Sequence, residues 1–226
     1  ASYTEKGNRH AGKKSFQRGL AVLTSVHNPD CQLVFEGGAS RGNNGTFFSG
    51  ASVNGTIGLH AKNARPTANA TPDDKRLKGA MTMIHEAGHA IDFQMLAEKG
   101  VEARGMRSKL RFGSEQAAQD PGHKLRGWWD AIEASGAKAR IKSEYDHRNG
   151  RLAQEGFRIK AGFVKYQSDP CELFARSYEQ WVAMRSGEPL LVESLQTNTS
   201  KGGYWPDEEF GPIAAEFDKL FGMEGE

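Results

Sequence analysis

Within Met81-Thr82-Met83-Ile84-His85-Glu86-Ala87-Gly88-His89-Ala90-Ile91-Asp92 stands a His-Glu-x-x-His motif, inside a pattern that predicts a helix. Residues four apart lie one turn above each other on the same helix face, so the imidazoles of His85 and His89 can aim at one point beside the helix. Two neighbouring positions of a tetrahedral Zn²⁺ site need that arrangement. Glu86 sits about 100° around the helix from His85. There it can reach a water at the metal without ligating the metal itself, which is the placement of a general base.

The helix pattern supports this use of the histidines. Leu77, Ile84, Gly88, Ile91 and Met95 project as one apolar stripe, and His85, His89 and Asp92 lie in a polar strip beside it. That margin between core and cleft lets packing orient a ligand that substrate can still reach. Gly88 is unfavourable in a helix interior by about 1 kcal/mol against Ala, which is explicable if another element packs closely there. A catalytic zinc takes three protein ligands and leaves one position open. Asp92 does not suit the third, because it lies seven residues from His85, about 10 Å along the axis. It reads instead as a carboxylate that orients an imidazole, or as a salt-bridge partner between helices. His123 could ligate but has no supporting neighbour, and His10, His27, His60 and His147 fall in loops or at uncertain positions. The third ligand is better sought in Asp169-Pro170-Cys171-Glu172-Leu173-Phe174-Ala175-Arg176-Ser177-Tyr178-Glu179. Glu172 is the first choice and Glu179, further down the same strip, competes with it. Glu172 also fits position N3 of a capping box begun by Asp169, a purely structural use.

The elements that must position these groups can be read in outline. Phe16, Leu20, Leu23 and Val26 predict a helix over Lys13 to Val26, ended by Asn28-Pro29-Asp30. Gln32 to Glu36 reads as a strand. Thr46-Phe47-Phe48 and Gly55 to His60, around Asn54-Gly55, read as a short antiparallel pair. Thr71-Pro72-Asp73-Asp74 begins the motif helix, whose pattern runs to Lys99. Asp120-Pro121 opens a helix carrying Trp128, Trp129 and Ile132. Residues 137–165 are ambiguous because Gly150, Gly156 and Gly162 argue against one long helix. Asp169-Pro170 opens another helix to about Arg185, and Pro206 to Phe221 predicts a terminal one. No repeat or linker divides residues 1–226, so one domain is expected.

His85-Glu86-Ala87-Gly88-His89 with the downstream Glu172-Leu173-Phe174-Ala175-Arg176 resembles the glutamate-zincins of the anthrax lethal factor type. It resembles still more the zincin-like domains of large polyvalent proteins of phages and mobile elements. The resemblance covers about residues 35–185. It implies an α+β, mainly helical domain with a small antiparallel β-sheet or ribbon before the metal helix. It also implies a zinc metallopeptidase with His85, His89 and Glu172 as ligands and Glu86 as catalytic base. Lethal factor has a tyrosine just before the ligand glutamate, placed to stabilise the oxyanion. Tyr166 is the matching residue here, one residue short of that spacing. Arg176 stands where thermolysin-like enzymes have a carboxylate, and a pairing of Arg176 with Asp92 across the two helices is the expectation. A peptide substrate is expected to lie along the strand near Gly55 to His60.

Composition sets the outer bounds. The 226 residues carry 37% hydrophobic and 26% charged side chains, enough for one sizeable core. No apolar run approaches the ~20 residues of a membrane span. A net charge of +2 gives no argument for nucleic acid, and the Lys/Arg cluster from Arg104 to Arg111 reads as solvated surface. Cys31 and Cys171 are too few for a disulfide scaffold; one bridge or two thiols both fit, and a thiolate that blocks the zinc is the remotest use of either. The start of the chain has no apolar leader and does not read as a signal peptide as it stands, which leaves localisation open. The leading functional expectation is a zinc endopeptidase acting on protein or peptide, in a toxin, effector or phage-associated setting. The alternative is a domain that keeps the fold for binding or structure without turnover. The presence of Glu86 favours the enzyme.

Overall fold

The computed structural model describes residues 2–6, 13–38, 45–48, 56–60, 72–98, 112–154, 162–199 and 204–225. The chain begins with strand β1 (Ser2–Lys6), crosses through helix α1 (Lys13–Val26) and returns as β2 (Gln32–Gly38), parallel to β1 with Ser2 opposite Gln32. A parallel return needs a crossover of this kind. Strands β3 (Gly45–Phe48) and β4 (Thr56–His60) follow, and the sheet order is β1-β2-β4-β3.

The expected fold class needs correcting here. Helix dominates the described residues, and the small antiparallel sheet or ribbon expected before the metal helix is not what forms. β1–β2 and β2–β4 are parallel, and only the outer β3–β4 pair runs antiparallel. The reason lies in β1, whose polar Ser-Tyr-Thr-Glu-Lys sequence carries no strand alternation yet supplies the first partner of a β-α-β unit. A second correction follows. The strand near Gly55 to His60, expected to receive substrate, is β4, which is paired on both sides; the outer strands are β1 and, next to β4, β3.

Helix α2 (Pro72–Ile91) carries the motif and runs on into one π-helical turn, Asp92–Leu96. It packs on the sheet, on α1 and on α7 (Pro170–Ser186). Between them come α3 (Gly113–Ala117), α4 (Arg126–Ala134), α5 (Ala137–Gln154) and α6 (Gly162–Gln167), and after α7 come α8 (Pro189–Thr199) and α9 (Asp207–Phe221). Asp120-Pro121 lies in turns before α4 rather than in a helix. Of the ambiguous stretch 137–165, Ala137–Gln154 is one helix through Gly150, around which there is open space, so the missing side chain forfeits no packing. Gly162 begins α6, and residues 155–161, with Gly156, lie outside the described residues.

The core lies where α1, α2 and α7 meet. Phe16 and Leu23 of α1, Met83, Ile84, Ala87 and Ile91 of α2, and Leu173, Phe174, Tyr178 and Val182 of α7 are all fully buried. Aromatic rings extend this core toward α9: Phe174, Tyr178 and Trp181 meet Phe217 with ring centroids 5.4–5.9 Å apart. Two glycines set the spacing of the helices. A Cβ on Gly19 would lie 2.8 Å from the Met83 sulfur, and one on Gly88 would lie 2.9 Å from Ala175 Cα. The glycine unexplained by helix propensity therefore marks the crossing of α2 and α7. Among the described residues no helix is long and apolar enough to cross a membrane.

Candidate metal centre

The α2–α7 crossing places the chemistry. Gly88 directly precedes His89, and Ala175 follows Glu172 by three residues, so the close contact of the two backbones sits beside all three predicted ligands. His85 Nε2 lies 3.6 Å from one Glu172 oxygen and His89 Nε2 lies 3.4 Å from the other. One donor atom from each of His85, His89 and Glu172 falls within 4.8 Å of the others. A tetrahedron with metal–ligand distances of about 2.0–2.1 Å has edges of about 3.4 Å. Each imidazole lies near that distance from one of the two Glu172 oxygens, so the three side chains are close enough to share one ion. Two imidazoles and one carboxylate are also a donor set that zinc accepts. The residues fit the ion.

Glu172 stands in the first turn of α7, where the positive end of the helix favours a carboxylate. Asp169 makes no side-chain cap, and the Glu172 carboxylate faces the histidines rather than closing a capping box. Burial opposes ionisation of Glu172, but hydrogen bonds from His85 and His89 prevail and hold it well below the usual carboxylate range.

Glu179, the competing ligand, lies two turns further along the same strip. Its carboxylate is 3.3 Å from the other nitrogen of His85, Nδ1. The two glutamates thus divide the imidazole between them: Glu172 meets Nε2 on the metal side, and Glu179 takes Nδ1 behind it. A carboxylate on the far nitrogen fixes tautomer and ring direction. Burial disfavours a charge on His85, yet Glu172 and Glu179 outweigh it and push its pKa up to about 10. His89, where burial prevails over Glu172, is shifted down.

Glu86 is buried, and its charge is felt by both His85 and Tyr166. Tyr166, at the end of α6, is half-exposed and hydrogen-bonds to Glu172; burial and that carboxylate raise its phenol. The structure therefore brings Tyr166 to the same centre despite its irregular spacing.

Two expectations are overturned. Asp92 neither orients an imidazole nor pairs with Arg176. Its oxygens accept the Ser114 backbone N–H at 2.8 Å and the Ser114 hydroxyl at 2.5 Å, which ties the end of α2 to the start of α3. A Cβ on Gly113 would lie 2.6 Å from the Leu96 carbonyl carbon, so this junction too depends on a bare backbone. Arg176 instead donates to the Gln167 carbonyl, and its charge lies beside Glu172 and Glu179. The reason is what each side chain meets: the start of α3 presents two Ser114 donors to Asp92, while Arg176 reaches the end of α6.

His123 is buried away from this group, its Nδ1 accepting the Leu125 N–H at 3.2 Å. Cys31 and Cys171 are both free thiols. Burial and then Glu172 raise the Cys171 thiol, and neither cysteine belongs to the group of converging donors. His10 and the Arg104 to Arg111 cluster lie outside the described residues. The residue missed altogether is Tyr204, which hydrogen-bonds to Glu179 from the segment before α9. No periodicity or motif linked it to the site.

Comparison of the chain with protein-family models, with curated proteins and with solved structures finds no match. The functional reading rests on the geometry of the centre itself.

Proposed function

We propose that this chain is a zinc-dependent peptidase of the kind its resemblance to glutamate-zincins implies, with His85, His89 and Glu172 as ligands. The observation that carries this reading is the convergence of those three side chains from two helices to within reach of one ion. Bound there, zinc would supply Lewis-acid polarisation of a carbonyl and acidification of a water.

The remaining roles belong to side chains of the chain. Glu86, next to a ligand but not in the ligand group, accepts the proton of the attacking water at its carboxylate. It then delivers that proton to the leaving amine. Glu179 holds His85 by Nδ1 and leaves Nε2 facing the centre. Tyr166, half-exposed at the rim, donates a hydrogen bond toward the oxygen that gains charge during attack. An extended peptide can pair with the outer strand β3, which like β4 packs against α2.

The test compares wild type with Glu86→Gln and Glu172→Gln. Wild type should bind about one zinc per chain and cleave members of a broad peptide library. Glu86→Gln should keep the zinc and lose cleavage by at least a hundredfold. Glu172→Gln should lose both. A zinc-loaded wild type that cleaves nothing would favour the alternative, a metal-keeping binding domain. A wild type that takes up no zinc would end both readings.

A further inference from the structure

Beside its ligands and base, the centre has a support from a part of the chain outside the resemblance. Between α8 and α9 the backbone at Trp205 is fastened to α7 in both directions. Gln180 Nε2 donates to the Trp205 carbonyl at 2.8 Å, and the Trp205 N–H donates to Gln180 Oε1 at 3.0 Å. The Trp205 indole donates to the Ser135 hydroxyl at 2.9 Å and is almost fully buried. Such a paired amide clasp fixes the position and direction of the backbone it holds. The neighbours of the clasped residues are Glu179 on α7 and Tyr204 on the returning segment. They meet, with the Tyr204 hydroxyl hydrogen-bonded to the Glu179 carboxylate. Glu179 in turn lies against His85 Nδ1.

We infer that Tyr204 is a positioning residue of the metal centre: clasped to α7 through Gln180 and Trp205, it fixes the Glu179 carboxylate that aims His85. Three links connect a residue near the C-terminal end to a ligand on α2, each with a physical task. The clasp locates Tyr204. Its hydroxyl, a single donor, occupies Glu179 and limits the orientations the carboxylate can adopt. Glu179 then receives the Nδ1–H of His85, which leaves the Nε2 lone pair on the side of His89 and Glu172. Arg176, one turn before Glu179, adds its charge to the same strip without replacing these directed bonds. This inference rests on the metal reading above and adds to it a residue that touches neither metal nor substrate.

The experiment measures zinc affinity by competition with a chelating dye, and the visible absorption of the cobalt-substituted protein. Wild type, Tyr204→Phe, Glu179→Gln and the double variant are compared, with circular dichroism confirming the fold of each. Tyr204→Phe keeps the ring and removes only the hydroxyl. It should weaken zinc binding about tenfold, the range seen when groups behind a ligand are removed, and should shift the cobalt bands. Because Tyr204 acts through Glu179, the double variant should bind no more weakly than Glu179→Gln alone. An affinity within twofold of wild type with an unchanged cobalt spectrum overturns the inference and leaves the metal reading intact. Additive losses in the double variant also overturn it, since Tyr204 would then act by another route. If Tyr204→Phe is unfolded, Gln180→Ala, which releases the clasp, must give the same loss and the same dependence on Glu179, or the inference fails. Absence of zinc binding by wild type removes the metal reading and this inference together.

Discussion

Gly88→Ala separates two opposed physical terms at the point where the fold builds the site. By helix propensity alone the change should stabilise α2 by about 1 kcal/mol. The structure opposes it, because the new methyl carbon would lie 2.9 Å from Ala175 Cα and 3.2 Å from Tyr178 Cδ1. Ordinary carbon contacts begin near 3.5 Å, so the helices must part by about 0.6 Å. One contact is backbone and cannot rotate away, and overpacking of this kind costs about 1–3 kcal/mol. The net expectation is a loss of about 1 kcal/mol in the zinc-free protein, measured by urea unfolding. The effect on the metal should be larger than that. The distances from Glu172 to His85 and His89, 3.6 and 3.4 Å, both span the α2–α7 gap. Moving the Glu172 carboxylate ~0.6 Å further from both imidazoles takes it from near the ~3.4 Å donor spacing of a zinc site to well beyond it. Zinc affinity should therefore fall at least tenfold, while Gly150→Ala, on an open face of α5, should leave it unchanged. A Gly88→Ala protein that is more stable than wild type and binds zinc equally well would refute the idea that this contact sets the ligand spacing.

Further expectations concern protons and the base. Burial, only partly offset by Ser114, pushes the Asp92 carboxyl up to about 7, against 3.8 in the free residue. The unfolded chain ionises first, so this group lowers stability as pH rises from about 4 to 7, by on the order of 4 kcal/mol at most. The stability difference between Asp92→Asn and wild type, followed by urea unfolding across that range with a chelator present, should grow with pH in favour of the variant; a flat difference would refute the assignment. Burial against Tyr178, Trp181 and Phe221 brings His27 down from 6.5 to about 4. Its contribution has the opposite sign: stability is lost as pH falls through 6.5 toward 4, and His27→Gln should remove that acid-side loss in thermal unfolding. Glu86→Gln should abolish cleavage while metal analysis still finds the zinc, because Glu86 is outside the ligand group.

Much of the candidate centre is legible in the sequence because it depends on local periodicity. The four-residue spacing of His85 and His89 puts them on one face of α2 in any helical context, and Glu86 beside them follows from the same geometry. Gly88, out of place by propensity, announces a close neighbour, and Ala175 is that neighbour. Pattern reading also finds α1, the main part of α2, α7 and α9, whose apolar faces repeat at helical spacing. It does not find β1, a polar strand that pairs only because α1 returns the chain beside it, so the mixed order of the sheet is hidden as well.

The sequence by itself determined which chemical groups are present and which of them share a helix face, since both depend on residue type and on a fixed rise and rotation per residue. Only the tertiary structure decided how the two glutamates of α7 divide His85, that Asp92 turns to Ser114, and that Tyr204 returns from the C-terminal region to meet Glu179. These outcomes depend on the distance between α2 and α7, on the docking of α3 against the end of α2, and on an amide clasp between distant segments. Contacts between residues far apart in the chain leave no periodic mark in either segment, and packing alone fixes them.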